Sequence, residues 1–391
     1  MQNFRFHTPT EVVFGKDTHL QVGEIVKKYG FHKIMLHYGG GSIKRNGVYD
    51  AVVQSLTDAG VAIVDFGGAE PNPKLSLVAK GAQICKEEGV ELVLAVGGGS
   101  AIDSAKEIAI GAKYDGSTWD FSSRIKDPED ALPVGVILTL AASGSEMSGS
   151  AVITNEENGL KRGYNTPLHR PLFAICNPEL TFTVDKFQTG CGIVDIMMHT
   201  LERYFSKSPE TPLTDAIAEA ILKQVVAAGT QAILDPEDYE ARADLMWASS
   251  ISHNDLTGCG RNTFFVCHQL EHELSGKYDF VAHGAGLSII FPAWAEYVYK
   301  HNLERFVQYA VQVWDVPENP DDPEDTAAQG IVATKAFFAE IGMPTRLSQL
   351  GIGEEAFEEM AEKCTNFGAR ILPGYLPLGK QEIIEIFKLA L

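Results

Sequence analysis

The chain has 391 residues, beyond the length at which a single hydrophobic core keeps growing, so two domains are expected. With 45% hydrophobic and 21% charged residues it has globular composition, and 32 Lys+Arg against 52 Asp+Glu leave a formal charge of −20. That balance repels phosphate backbones and anionic lipid surfaces, so neither nucleic acid nor a membrane is an expected partner.

The N-terminal "MQNFRFHTPTEVVFG" alternates polar and apolar residues and reads as a first strand, not a signal peptide. No uninterrupted apolar stretch approaches the ~20 residues of a membrane span. The six cysteines are dispersed with no CxxC pair, which fits a reducing cytoplasm.

From residue 1 to about 180, short runs rich in Val, Ile and Leu end in glycine turns: "KIMLHYGGGS", "VAIVDFGG", "ELVLAVGGGS" and "PVGVILTLAASGS". Being apolar on both faces, they predict buried parallel strands, with "GVYDAVVQSLTDAG" and "LSLVAKGAQICKEEG" as crossover helices. After "NPELTFTVDKFQTG" strand-like runs nearly vanish, and "TDAIAEAILKQVVAAGTQAIL", "DYEARADLMWASSISHNDL" and "QEIIEIFKLAL" carry helical periodicity. The expected organisation is an α/β nucleotide-binding domain over 1–185 and an all-helical domain over 186–391. The acidic, Pro-rich "DVPENPDDPEDT" (315–326) is expected as an exposed loop.

GGGS occurs twice, at 39–42 and 97–100, each time after an apolar strand and before a helical segment. Consecutive backbone N–H groups there can surround an anion, and glycine lets the backbone approach a phosphate. A single GGGS is as often a plain tight turn; two copies at strand ends favour a nucleotide, although neither is the GxGxxG fingerprint. In "GGGSAIDSAK", Asp103 and Lys106 stand at i and i+3, on the face of the turn nearest the bound group. "YGGGSIKRNG" offers Gly39, Gly40, Gly41 and Ser42, then Lys44 and Arg45, which suits a ribose 2′-phosphate and hence NADP(H) over NAD(H). Asp65 of "VAIVDFGG" is the alternative, a carboxylate for an NAD ribose.

"CHQLEHELSGKYDFVAHG" places His268, His272 and His283 within sixteen positions, and "GIVDIMMHTLERYF" supplies Asp195 and His199 at i and i+4 in an apolar helical stretch. Either pair alone is more often an ion pair or a core pair. Both together, amid apolar residues that make an uncompensated charge expensive, favour a divalent metal. One carboxylate with imidazoles and no thiolate suits Fe²⁺ or Zn²⁺. Only one of the helix-mates His268 and His272 need be a ligand; the other can donate a proton. Cys267 points away from them and reads as core.

Together these motifs resemble the iron-containing (group III) alcohol dehydrogenases, most closely the NADPH-dependent butanol dehydrogenase and aldehyde reductase branch. The likeness runs nearly end to end, from "FHTPTEVVFGKD" through "LAVGGGSAIDSAK", "LTLAASGSEMSGSAVIT" and "DIMMHTLERYF" to "HQLEHELS" and "HGAGLSIIFPAW". The resemblance implies a dehydroquinate synthase-like architecture: an N-terminal dinucleotide-binding α/β domain, an all-α C-terminal domain holding the metal, an active site between them, and commonly a homodimer. It implies Asp195, His199, His268 and His283 as metal ligands and His272 as a proton relay. Gly98, Gly99, Ser100 and Asp103 fall at the pyrophosphate and nicotinamide ribose, with Asp103 counted beside His272 in the catalytic centre. Gly39, Gly40 and Ser42 fall at the adenosine end; Thr139, Ser143 and Ser145 in a second cofactor turn; Lys161 at a cofactor lysine. Ser148 stands where relatives often have Asn, and Asn177 where they often have Asp.

The expected reaction is reversible hydride transfer between NAD(P)H and a small aldehyde, giving a primary alcohol. A lyase or cyclase of the dehydroquinate synthase type is the rival, but it needs several basic residues for a polyanionic substrate, whereas "IIFPAW" and "NTFFV" beside the ligands are apolar. A metal-storage protein would use the same ligands without a nucleotide turn.

Overall fold

The computed structural model describes residues 1–207 and 210–391. Its main sheet contains β1 (Glu11–Phe14), β2 (Lys33–Gly39), β3 (Ala62–Ala69), β4 (Leu92–Gly97), β5 (Val134–Leu138) and β8 (Phe173–Cys176), while β6 (Ser150–Asn155) and β7 (Leu160–Asn165) form a separate antiparallel hairpin. The six strands lie in the order β1-β8-β5-β4-β2-β3, and every pair is parallel. The inner strands β4, β5 and β8 are buried throughout, which is why they read as unbroken apolar runs.

Helices α1 (Val22–Lys28), α2 (Ser42–Arg45), α3 (Val48–Asp58), α4 (Leu75–Glu88), α5 (Gly99–Gly111) and α6 (Trp119–Ser122) follow the strands of this sheet. Beyond it, α7 (Lys186–Tyr204), α8 (Pro212–Leu234), α9 (Tyr239–Ser252), α10 (Val266–Lys277) and α11 (His283–Val298) are followed by α12 (Leu303–Trp314), α13 (Pro323–Glu340), α14 (Phe357–Cys364) and α15 (Lys380–Leu389). The stretch between α12 and α13 is largely exposed as expected, but residues 323–326 belong to α13, with Asp322 as its N-cap accepting from the Asp325 amide. Helix α8 is long and apolar enough to cross a membrane by length and composition, yet its buried face packs on α7 and α12 and it carries Asp215, Glu219 and Lys223.

The chain divides into two compact units that change over at Val184/Asp185 and exchange two further segments. The α/β unit comprises His7–Val184 and Glu237–Asn254; the helical unit comprises Met1–Phe6, Asp185–Pro236 and Asp255–Leu391. Helix α9, helical in pattern and placed by sequence with the helical half, therefore belongs to the α/β unit. The reason is hydrogen bonding between residues far apart in the chain. The Gly144 amide donates to Ser249 Oγ at 3.1 Å, and Ser250 Oγ donates to Glu146 Oε1 at 2.6 Å. Gly144 has φ +66° and a Cβ there would lie 2.3 Å from the Ser249 carbonyl oxygen, so only glycine allows α9 this close.

β2 and β4 are adjacent, with Tyr38 opposite Val96, yet the chain leaves them in opposite directions, β2 toward β3 and β4 toward β5. That reversal of strand order creates the crevice at which open α/β sheets bind ligands, beyond the carboxyl ends of the strands. Both GGGS turns lie at that crevice.

Candidate functional site

In the α/β unit, β4 runs into Gly97 and Gly98, and α5 begins at Gly99. A Cβ on Gly98 would sit 3.0 Å from Leu140 Cβ, and one on Gly99 would sit 2.5 Å from Ser143 Oγ. The segment after β5 thus packs directly on the glycine turn, bringing Ser143 to Gly98, Gly99 and Ser100. The Thr139 amide donates to the Gly97 carbonyl at 3.1 Å. Asp103 is held from both sides: Oδ1 accepts from Ser145 Oγ at 2.6 Å and Oδ2 from the Val152 amide at 3.0 Å. Lys106 does not share its outlook. It is fully buried and turned into the unit, where Nζ donates to Ser145 Oγ, Ser148 and Ser150. Ser148, the departure noted in sequence, is part of that buried cage. Asn177, the other departure, caps a short turn by accepting from the Glu179 amide at 3.1 Å.

The first glycine turn, Gly39 and Gly40 leading into Ser42, uses Gly41 at φ +111° to enter α2. Lys44 Nζ lies over the rings of Tyr38 and Tyr49, 4.7 and 4.4 Å from their centroids, and both tyrosine hydroxyls donate to Asp65 at 2.8 Å. Lys161 is buried on β7, in register with Thr154 of β6.

The helical unit assembles the metal candidates. Asp185 caps α7 by accepting from the Gln188 amide, and four residues apart on its buried face stand Asp195 and His199. His268 comes from the first turn of α10, and His283 opens α11. Gly284 is what lets α11 in: a Cβ there would lie 2.2 Å from the Cys191 carbonyl oxygen, so the two backbones are in contact. The result is convergent. Asp195 Oδ1 lies 3.4 Å from His199 Nδ1, 3.7 Å from His268 Nε2 and 3.8 Å from His283 Nε2.

Asp195 Oδ1 and His268 Nε2 are buried without a hydrogen-bond partner. Four-coordinate Zn²⁺ with N and O bonds of about 2.1 Å has ligand–ligand edges of about 3.4 Å, so one cation bonded to all four groups would satisfy these atoms. The donor set and its spacing fit a divalent metal. Three of the four groups are buried, while the His283 side chain is 28% exposed.

Two carboxylates behind the cluster escaped the sequence reading. Glu202 faces His268 Nδ1, and Glu271 faces His283 Nδ1, each in hydrogen-bond contact. By taking the Nδ1 proton they leave Nε2 as the metal-facing atom, the carboxylate–histidine arrangement common behind metal ligands. A signal was present: "HTLE" and "HQLE" each set a glutamate three residues after a histidine. Burial would keep His268 neutral, but the carboxylates of Glu202 and Asp195 outweigh it and push its pKa up to about 9 in the metal-free cluster. Burial drives His199 well below the ordinary range, reinforced by His268. His272 lies outside this set, half-buried, with its ring 5.7 Å from that of His283 and 6.4 Å from that of His268.

An Asp–His₃ cluster in a helical unit, in a chain whose parallel sheet carries glycine turns at its switch point, is the equipment of a metal-dependent, nucleotide-linked enzyme. Comparison with known proteins supplies the family. Residues 9–178 match the family model described as iron-containing alcohol dehydrogenase, and residues 189–391 match that of the Fe-containing alcohol dehydrogenase family, C-terminal. The chain is 44% identical over 392 residues, 99% of each chain, to the NADH-dependent butanol dehydrogenase A of Clostridium acetobutylicum. It is 36% identical over 374 residues, 94% of each, to the NADPH-dependent aldehyde reductase YqhD of Escherichia coli. A crystal structure of the NADH-dependent butanol dehydrogenase A from Thermotoga maritima superposes with a TM-score of 0.96 at 40% identity, covering 100% of this chain and 99% of that one. The chain belongs to the iron-containing alcohol dehydrogenase family and is an oxidoreductase that uses a metal and a nicotinamide cofactor.

Proposed function

We propose that this enzyme interconverts small aliphatic aldehydes and primary alcohols, such as butanal and butanol, with NADP(H) as its preferred cofactor and Fe²⁺, or Zn²⁺, held by Asp195, His199, His268 and His283. The observation that carries the reading is the approach of one Asp195 oxygen to a nitrogen of each of three histidines, within 3.8 Å. In such a site a divalent cation supplies Lewis acidity and the nicotinamide supplies or takes the hydride.

The chain's own residues do the rest. Glu202 and Glu271 hold the rings of His268 and His283 in one orientation. Gly98, Gly99 and Ser100 present backbone to the pyrophosphate at the start of α5, with Thr139, Ser143, Ser145 and Lys161 as further cofactor contacts. Asp103, oriented by Ser145 Oγ and the Val152 amide, accepts from a ribose hydroxyl. His272, half-buried beside His283, relays the proton through its imidazole near neutral pH.

Lys44 and Arg45 beside Gly39, Gly40 and Ser42 support NADP(H), as does the engagement of Asp65 by two tyrosines. NADH is the second reading, favoured by the names of the relatives from C. acetobutylicum and T. maritima. The test is to strip the metal, restore Fe²⁺ or Zn²⁺ separately, and follow NADPH and NADH oxidation with butanal. Inactivity with both metals would defeat the dehydrogenase reading, whereas a higher kcat/KM for NADH would reverse only the cofactor preference. We place the enzyme in the cytoplasm, where its six free thiols persist. We also infer a homodimer formed along the open edge of β1, where Phe14 and Trp247 are exposed and in edge-to-face contact; light scattering on the purified chain tests it.

A further inference from the structure

We propose that Lys106 is a positioning residue for the nicotinamide cofactor, acting from inside the α/β unit through Ser145 on Asp103. The inference rests on the reading that Asp103 and the Gly98–Ser100 turn bind that cofactor.

An ammonium can only donate, and Lys106 Nζ has oxygen partners at 2.7 Å (Ser145 Oγ), 2.7 Å (Ser150 O), 3.1 Å (Ser148 O) and 3.3 Å (Ser148 Oγ). Because Ser145 Oγ accepts from Lys106, its single proton is free to point elsewhere, and Asp103 Oδ1 lies 2.6 Å away. The lysine therefore fixes the serine rotor, and the serine fixes the carboxylate. The second carboxylate oxygen is held by the Val152 amide, so the orientation of Asp103 is set at both ends by groups outside its own helix.

The same ammonium ties three points of the segment running from β5 into β6, at Ser145, Ser148 and Ser150, to a residue on α5. That segment must hold its place, since Ser143 Oγ fills the space a Cβ on Gly99 would take. The lysine is fully buried, and burial, countered first by the Asp103 carboxylate and then by Glu146, lowers its pKa only to about 8, leaving it charged at neutral pH. A fully buried charge is costly unless it is well hydrogen-bonded, and here one of its bonds leads through Ser145 to Asp103.

The test uses the metal-loaded enzyme and the dissociation constants of NADPH and NADH, read by nicotinamide fluorescence. Lys106→Met should raise the constant for the preferred cofactor about tenfold or more, with metal content and the aldehyde KM at saturating cofactor unchanged. A merely structural lysine would lower the melting temperature or the active fraction but leave the dissociation constant of the active fraction alone. Adding Ser145→Ala to Lys106→Met should weaken binding no further than the worse single variant. Should the Met variant fail to fold, Lys106→Gln, which keeps a donor but no charge, carries the same measurement. An unchanged dissociation constant in either folded variant overturns the proposal, and fully additive effects overturn the route through Ser145. If the unaltered chain binds neither nucleotide, the cofactor reading beneath it fails instead, and this inference with it.

Discussion

Glu202 of α7 holds His268 of α10 by backbone and ring at once. Its Oε1 accepts from the Cys267 amide at 2.5 Å, and its Oε2 accepts from the His268 amide at 3.2 Å while also facing His268 Nδ1. Those amides belong to the first turn of α10, where a helix leaves its donors open, so a single carboxylate both caps the helix and aims the ligand. Glu202→Gln should lower metal affinity about 10- to 100-fold. Competition with a chromophoric chelator measures it, and unaltered affinity would contradict the orienting role.

His268 and His272 share a helix, and the proposed function gives them different tasks. His268→Ala should lose metal and turnover together, because it removes one of four convergent donors. His272→Ala should keep its metal and lose rate, about 100-fold or more for a general acid–base group. Metal analysis of both purified variants separates the roles; equal metal loss would remove His272 from the relay.

Metal uptake should depend on pH in a definite sense. The folded, metal-free cluster raises His268 from its ordinary 6.5 to about 9, so the ring is protonated throughout that window. A cation needs the Nε2 lone pair and must expel the proton, so apparent affinity should rise about tenfold per pH unit until about pH 9 and then level. The same shift stabilises the metal-free fold fully below pH 6.5, a contribution lost as pH rises through about 9. Metal titrations between pH 6 and 9.5 read the slope, and a flat profile would refute the coupling.

Gly284→Ala should damage the site without touching a ligand. Its Cβ would meet the Cys191 backbone at 2.2 Å, forcing α11 off α7 and carrying His283 away from Asp195. Such overpacking costs about 1–3 kcal/mol. Calorimetry and metal content should both fall; a variant with normal values would mean the helices have slack there.

In the α/β unit, Glu107 and His169 are fully buried, with Glu107 Oε1 3.7 Å from His169 Nε2 and none of their side-chain polar atoms hydrogen-bonded. Burial, then Asp103, pushes the Glu107 pKa up to about 8, so the folded chain keeps this carboxyl protonated while the unfolded chain ionises it above about 4.5. Its contribution to stability is whole below 4.5 and disappears as pH climbs through 8. Glu107→Gln, neutral at every pH, should therefore gain on the unaltered chain from pH 5 to pH 8, by on the order of a few kcal/mol. Melting temperatures of both at the two pH values test this; a constant difference would show that Glu107 is ionised in the fold.

Much of this was legible in the chain itself, because helix and strand periods are local. Asp195 with His199 at i and i+4 must share a face, and an apolar run ending in GGGS leaves a buried strand through a tight glycine turn. Those relations are set by covalent spacing over a few residues, and they sufficed to name every candidate ligand and glycine. What spacing could not say is which distant groups meet. Glu202 reaches His268 across 66 positions, and Gly284 matters only because the Cys191 backbone lies against it. Helix α9 has the periodicity of the helical half, yet it packs with the α/β unit because Ser249 and Ser250 bond to the turn at Gly144 and Glu146. Lys106 sits one turn from Asp103, and only the closing of the 145–150 segment over it turns that charge inward. Local dihedral preference wrote the elements and the ligand pairs; the burial of polar groups, each demanding a partner wherever the fold provides one, decided who holds them.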